Sequence, residues 1–247
     1  MNIAIIGYGK MGRAIHEVAK ENKINVVSII DPTDPEATHR EITHEALKNV
    51  DVALDFSRAD AVVSNVEKLA KLKRNIVMGT TGWYDKINIV KKIVEENEIG
   101  FIYSPNFSIG VNLFFAMINK AAELFNKAKW YDVYVYEIHH NKKIDSPSGT
   151  ALQIANILLS KIERKKKILA EVINRRIEPE ELHVASIRAG HVFGLHVVGF
   201  DSEFDNIELK HEAKNRKGFA LGALLAAKWI INKKGFYNFI DVFSELI

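Results

Sequence analysis

The chain has 247 residues, 47% hydrophobic and 26% charged; this average globular composition excludes disordered, collagen-like and low-complexity proteins and allows one large or two modest domains. It contains no cysteine, which excludes a disulfide framework, a thiolate metal site, an iron–sulfur cluster and a cysteine nucleophile, and points to the cytoplasm. A net charge of +3 is too small for a nucleic-acid surface and no uncharged run reaches the roughly 18 residues of a membrane span, so neither nucleic acid nor membrane is an expected partner.

From residue 1 to about residue 105, short β-branched runs alternate with helical stretches. The apolar runs are Ile3 to Ile6, Val26 to Ile30, Val52 to Phe56, Ile76 to Met78 and Phe101 to Tyr103. Between them, Asp60 to Leu72 sets Val62, Val63, Val66, Leu69 and Ala70 on one helical face, and Asp85 to Asn97 does the same with Ile87, Ile89, Val90, Ile93 and Val94. Continuous apolar strands separated by helices predict a parallel sheet covered on both sides. Gly7-Tyr8-Gly9-Lys10-Met11-Gly12 lies between the first run and a helix predicted over Arg13 to Glu21. In such a GxGxxG the first glycine suits a tight turn, the second a close approach by pyrophosphate and the third helix-on-strand packing, with the helix N-terminus facing the anion. The expected fold of this half is a Rossmann-like, doubly wound α/β domain that holds a dinucleotide through Gly7, Tyr8, Gly9, Lys10, Met11 and Gly12.

Asp31 ends the second run, 19 residues after Gly12. A carboxylate there accepts from both ribose hydroxyls of NAD and repels a 2′-phosphate. Pro32 and Thr33 follow it without an arginine for that phosphate, and Lys10 compensates only in part. NADH is therefore the predicted preferred cofactor, with NADPH tolerated. The strings Gly79-Thr80-Thr81-Gly82 and Ser104-Pro105-Asn106-Phe107-Ser108 follow the fourth and fifth runs. They fall at the carboxyl end of the sheet and are candidates to line a nicotinamide pocket, although either reads equally as an ordinary turn.

After Pro105 the texture changes. A helix is predicted from about Val111 to Asn126, a strand over Trp130 to His139, a turn-rich loop, a helix from about Thr150 to Ile162, and strands at Glu181 to Arg188, His191 to Phe200 and Asn206 to Glu212. Consecutive strands without helices between them predict an α+β domain with a mixed or antiparallel sheet. The basic run Arg164-Lys165-Lys166-Lys167 reads as a solvated turn after a helix. A last apolar helix, Gly218 to Ile231, ends on Lys233-Lys234-Gly235, a cationic turn and glycine stop, and is expected to pack back on the first domain. The expected division is a dinucleotide-binding domain of residues 1–106 and 217–247 and a substrate-binding domain of residues 107–216.

The most informative string runs from Glu137 through His139-His140-Asn141-Lys142-Lys143 to Ser146-Pro147-Ser148-Gly149-Thr150. It places two histidines, two lysines and the free amides of a helix N-terminus in one neighbourhood. That set suits a small dicarboxylate, with one carboxylate on the amides of Gly149 and Thr150. Neighbouring lysine and histidine push each other toward the neutral form, which brings a proton donor nearer working pH. Nothing in the pattern calls for a metal.

This string, together with the glycine turn, Asp55-Phe56-Ser57, Gly79 to Gly82, Ser104 to Ser108, Ser186-Ile187-Arg188 with Gly190, Gly194 and His196, and His211, Arg216, Phe219-Ala220 and Gly222-Ala223, closely resembles the dihydrodipicolinate reductase family, also called 4-hydroxy-tetrahydrodipicolinate reductase. The resemblance covers nearly the whole chain. It implies NAD(P)H-dependent reduction of the cyclic dicarboxylate made by dihydrodipicolinate synthase to tetrahydrodipicolinate, in the diaminopimelate route to lysine. By the same resemblance, His139 is the catalytic acid/base and Lys143 the proton donor. His140, Gly149 and Thr150 hold the substrate carboxylates. Gly7 to Gly12, Asp31, Gly79, Thr80, Thr81, Ser104, Pro105, Asn106 and Phe107 contact the cofactor. The resemblance further implies a homotetramer built through the sheet of the second domain. Two other readings share the first domain: an NAD-linked amino-acid dehydrogenase acting on aspartate or diaminopimelate, which lacks a use for the His-His to Gly-Thr string, and a non-enzymatic NADH sensor, which lacks a DNA-reading module here.

Overall fold

The computed structural model describes residues 1–247. They form two compact units, Met1–Ile109 with Arg216–Ile247, and Gly110–Asn215.

The chain begins with β1 (Asn2–Ile6), α1 (Lys10–Glu21), β2 (Asn25–Ile30), β3 (Val52–Asp55), α2 (Val62–Lys71), β4 (Asn75–Met78), α3 (Ile87–Asn97) and β5 (Gly100–Tyr103). It continues through α4 (Ile109–Lys127), β6 (Asp132–His139), α5 (Gly149–Lys161), β7 (Lys167–Leu169), β8 (Glu181–Arg188), β9 (Leu195–Asp201) and β10 (Asn206–Glu212), and closes with α6 (Lys217–Ile230) and β11 (Gly235–Asn238).

In the first unit all strand pairs are parallel, in the order β11-β5-β4-β3-β1-β2. The apolar runs become strands because both faces of the sheet are buried. Ile3, Ile5, Leu54, Val77 and Ile102 pack in one core with Ala223 and Ala227 of α6, while Ala4, Ile6, Ala53, Ile76 and Met78 share the other with Val66 and Leu69 of α2 and Val90 and Val94 of α3. Each fully buried aliphatic side chain contributes about 1.5–3 kcal/mol, so the alternation of runs and amphipathic helices decides the architecture. The strand order reverses between β1 and β3, and the crevice outside the carboxyl ends at such a switch point is where ligands bind in open α/β sheets.

In the second unit the sheet is mixed, in the order β10-β9-β6-β8-β7, with β6 parallel to β8 and antiparallel to β9. Val133, Val135, Val184, Val198 and Phe200 pack with Phe114 and Ile118 of α4 and Ile154 and Leu158 of α5. The alternate residues of β6, Tyr134, Tyr136 and Ile138, lie on the other face and are only half-buried, and Ile187 across from Ile138 is exposed.

Three sequence expectations fail, each for a physical reason. The basic run is only half solvated: Lys166 and Lys167 are exposed, but the Lys165 ammonium is buried, donating to the Glu181 carbonyl at 2.7 Å and pairing with Asp132 at 2.6 Å. Its neighbour Arg164 donates to the carbonyls of Phe125 and Tyr131, and Lys167 opens β7. Arg164 and Lys165 thus satisfy backbone carbonyls at element ends. Gly235 does not merely stop a helix, since at φ +119° it turns the chain into β11, where Phe236 stacks on Phe101 at 4.9 Å. The strand expected from His191 starts only at Leu195, because residues 189–194 form a loop that turns at Gly190, φ +50°, and His191.

Candidate active site

The glycine turn in the first unit is built by close backbone approach. Gly7, at φ +85°, donates to the Ile30 carbonyl, and a Cβ there would lie 2.5 Å from the Phe56 carbonyl oxygen. A Cβ on Gly12 would lie 2.2 Å from the Gly7 carbonyl oxygen. Gly9 differs: its φ of −74° is open to any residue, and a Cβ would meet nothing within 4 Å. The fold itself therefore has no need of glycine at position 9, and the space beside the N-terminus of α1 fits the approach of a pyrophosphate. Tyr8 turns its side chain inward, with its hydroxyl 2.6 Å from His16 Nδ1; Lys10 is exposed and Met11 half-buried.

Asp31 stands at the end of β2. Its Oδ2 accepts the Tyr8 amide, and its Oδ1 accepts the amides of Thr33 and Asp34 and the Thr33 hydroxyl. Burial pushes this carboxyl up, but the three backbone amides and the hydroxyl outweigh it and bring the pKa down to about 2. With Oδ1 taking three donors, Oδ2 is the atom with acceptor capacity left for an incoming hydroxyl. Asp31 lines a cavity of about 440 Å³ at the carboxyl ends of β1, β2 and β3, along with Gly7, Gly9, Ser57 and three cationic residues, Arg40, Arg58 and Lys68. Sequence reasoning missed Arg40 because it lies nine positions beyond Asp31. A backbone bridge returns it: the Asp31 amide donates to the His39 carbonyl, and the Arg40 guanidinium donates to the Asp34 carbonyl at 2.5 Å.

Phe56 gathers the remaining loops of this unit. A Cβ on Gly79 would lie 2.0 Å from the Phe56 ring, and the Phe107 ring lies 6.1 Å from it. Thr80 is buried and donates to Asp55, which is itself buried and also takes the amide and hydroxyl of Ser57 and the Asn65 amide group. Ser104 bonds the backbone of Asn106 in both directions, Pro105 and Thr81 are exposed, and Phe107 packs on Phe239. The strings after β1, β3, β4 and β5 are thus brought together, which spacing alone does not reveal.

In the second unit the informative string spans the end of β6 and the start of α5. His139 is the last residue of β6 and is 7% exposed; His140 follows it, with a buried Nδ1. Burial, with His196, Lys143 and Arg188 adding to it against the pull of Glu137, brings the His139 pKa down to about 4, so its ring is neutral at pH 7. The Lys143 ammonium contacts both oxygens of Asp145, at 2.8 and 2.9 Å. Ser148 caps α5, its hydroxyl accepting the Ala151 amide at 3.2 Å. Gly149 opens the helix and Thr150 follows it. A Cβ on Gly149 would meet nothing within 4 Å, the same open space found at Gly9.

A buried carboxylate that sequence reasoning passed over stands at the centre of this string. Glu137 has no exposed surface, and its oxygens meet Ser148, Ser186, Arg188, His139 and His196. Burial pushes it up, yet hydrogen bonds from His196, Ser148 and Arg188 hold it well below the ordinary carboxylate range. One atom each of Glu137, His139 and His196 lies within 4.8 Å of the others. The Arg188 guanidinium, 2.8 Å from Glu137, already balances the one negative charge of that trio, so the donor set is a poor fit for a divalent cation. His191 is exposed and takes no part in the cluster.

Comparison with known proteins gives one answer along the whole length. The family description "Dihydrodipicolinate reductase, N-terminus" matches residues 1–107 and "Dihydrodipicolinate reductase, C-terminus" matches residues 110–243. The 4-hydroxy-tetrahydrodipicolinate reductase of Christiangramia forsetii is 38% identical over 100% of this chain and 99% of its own, and that of Archaeoglobus fulgidus is 37% identical over 98% and 99%. A dipicolinate-bound dihydrodipicolinate reductase from Paenisporosarcina sp. TG-14 has the same fold, with a TM-score of 0.79 at 24% identity over 98% of this chain and 99% of that one. With both family halves matched in order and full-length relatives above one-third identity, the chain belongs to the dihydrodipicolinate reductase family of NAD(P)H-dependent oxidoreductases.

Proposed function

We propose that this protein reduces 4-hydroxy-tetrahydrodipicolinate, by way of dihydrodipicolinate, to tetrahydrodipicolinate in the diaminopimelate branch of lysine biosynthesis, and that the His139 to Thr150 string carries the chemistry. The observation that carries this reading is the combination in one string of a neutral buried histidine, an ammonium and a capped helix N-terminus with open space at Gly149. A dicarboxylate places one carboxylate on the amides of Gly149 and Thr150, where the helix dipole favours an anion, and the other near His140 and Lys143. A bound nicotinamide supplies the hydride for the ring carbon. Lys143 Nζ then gives a proton as negative charge develops on the ring nitrogen, the cations around the string stabilise that charge, and His139 serves as the acid/base that exchanges a proton. No metal is called upon, since Arg188 already meets the buried anion.

For the cofactor, the reading is NADH preferred and NADPH accepted. Asp31, ionised down to about pH 2, supports the preference by facing the ribose, and Arg40, lining the same cavity, supports acceptance of a 2′-phosphate. The half-buried face of Tyr134, Tyr136, Ile138 and Ile187 supports assembly of the chain as a homotetramer through the second sheet. No helix is long and apolar enough to cross a membrane, which fits the proposed cytoplasmic location.

One assay tests this reading. The unstable substrate is generated in place from pyruvate and aspartate semialdehyde by a synthase, and oxidation of NADH and NADPH is followed in parallel. Oxidation that depends on every component is expected, faster with NADH. Arg40→Ala should lower kcat/KM for NADPH by about tenfold, the worth of one charge-assisted contact, while leaving the NADH value within twofold. Oxidation supported by aspartate or diaminopimelate in place of the synthase product would overturn the substrate assignment.

A further inference from the structure

Glu137 sits where the alternation of β6 calls for an aliphatic residue, since Val133 and Val135 before it face the core. Burying a carboxylate there is costly unless every lone pair is met. The sheet register meets them: across from Glu137 stand His196 on β9 and Ser186 on β8, and across from His139 stands Arg188. The donors divide unequally between the two oxygens. Oε1 takes the Ser148 amide at 2.9 Å, the Ser186 hydroxyl at 2.9 Å and the Arg188 guanidinium at 2.8 Å. Oε2 takes the Ser148 hydroxyl, and faces His139 Nδ1 at 3.3 Å and His196 Nε2 at 3.5 Å.

Two of the three groups on the Oε1 side cannot reverse. A backbone amide and a guanidinium only donate. Those on the Oε2 side can, because an imidazole nitrogen donates or accepts according to tautomer. His139 Nδ1 is buried and makes no hydrogen bond; the Glu137 carboxylate 3.3 Å away is the charge that faces it, so its state answers to that carboxylate. Its other nitrogen, Nε2, borders Gly194, where a Cβ would approach to 3.0 Å; residue 194 is kept small beside the working edge of the ring.

We propose that Glu137 is a positioning residue whose carboxylate holds the proton of His139 on Nδ1, leaving Nε2 as the lone-pair atom that exchanges a proton in the reaction. The same carboxylate steadies the rest of the string. Through Ser148 it holds the first turn of α5, and through Arg188, which also donates to the Asp145 carbonyl at 2.5 Å, it holds the loop that carries Lys143. The charged and titratable groups acting on the His139 ring are Glu137 on its own strand, Arg188 on β8, His196 on β9 and Lys143 in the following loop. Glu137 alone among them raises its proton affinity.

Glu137→Gln separates charge and tautomer from shape. The introduced amide must turn its NH2 toward the side that can adapt, since the Oε1 position faces a backbone amide and a guanidinium, which only donate. His139 then accepts at Nδ1 and carries its proton on Nε2. The comparable loss of tautomer control in a catalytic triad costs about 10⁴ in kcat; here, where His139 is one of two proton-handling groups, a fall in kcat/KM of about 10²-fold is expected, with NADH affinity unchanged. The effect on turnover rests on the reductase reading above, whereas the tautomer does not. The test is the ring-nitrogen NMR spectrum of the full-length protein labelled with ¹⁵N-histidine, with His139 identified by its loss in His139→Gln. At pH 7.5 the wild type should show a neutral ring protonated at Nδ1, and Glu137→Gln a ring protonated at Nε2. Wild-type protonation at Nε2 overturns the proposal even if the variant does not fold, and so does a folded variant whose turnover stays within threefold. A wild type with the Nδ1 tautomer but no NADH oxidation in the coupled assay would overturn the reductase reading and leave the pairing of Glu137 with His139 standing.

Discussion

Lys143→Ala is expected to lower turnover by about 10²–10⁴, the usual worth of a positioned proton donor, with NADH affinity within about twofold of wild type. The side chain is 23% exposed and its ammonium is held by Asp145, which is 58% exposed. Hydrogen bonding from Lys143 keeps the Asp145 carboxyl below its ordinary range. An ion pair this exposed is worth at most about 1 kcal/mol, so an incoming dicarboxylate displaces Asp145 at little cost and inherits a localised cation. Alanine removes two functions at once, the charge that binds and the proton that moves. Arginine separates them: Lys143→Arg keeps a cation but cannot release a proton near neutral pH. The arginine variant should therefore recover substrate KM to within a few-fold while kcat stays as low as in alanine. Steady-state kcat and KM for both variants, with NADH affinity from fluorescence titration, decide the matter. Turnover of Lys143→Ala within threefold of wild type would mean that the proton comes from water or from His139 alone.

The parallel sheet was legible because its strands are short apolar runs buried on both faces, a pattern that amphipathic helices at regular spacing do not share. β11 was not, since its four residues are half-buried at the sheet edge and show no period. The same contrast runs through the candidate site. His139, Lys143, Gly149 and the glycine turn lie within short strings, where spacing alone aligns them. Glu137 belongs to such a string yet reads as filler, and what gives it a role are Ser186, Arg188 and His196, some 50 residues later in the chain and brought alongside by the register of β6 with β8 and β9. Arg40 reaches the Asp31 cavity through a single backbone bridge that leaves no trace in composition or periodicity. Lys165 misled because a run of four cations is usually solvated, and only the fold shows that carbonyls at the ends of neighbouring elements claim the first two.

Gly9→Val should abolish tight dinucleotide binding without disturbing the fold, and the two effects come apart for a geometric reason. At Gly7 and Gly12 any side chain strikes backbone, at 2.5 and 2.2 Å respectively, so substitutions there lose the turn itself and say little about ligand. Gly9 has extended φ and ψ of −74° and −158°, which valine adopts readily, and open space where the new carbon would go. Stability should therefore fall by no more than about 1 kcal/mol, the cost of replacing glycine by valine at the N-cap of α1. The valine methyl groups occupy the space through which a pyrophosphate reaches the amides opening α1. Losing two charge-assisted hydrogen bonds there, each worth about 1.5–3 kcal/mol, weakens NADH binding by about 10²–10⁴. Chemical denaturation and NADH titration on one preparation measure both quantities. An unchanged unfolding midpoint with NADH affinity within threefold of wild type would remove the pyrophosphate from the glycine turn, and with it the reason for a glycine that the fold does not require.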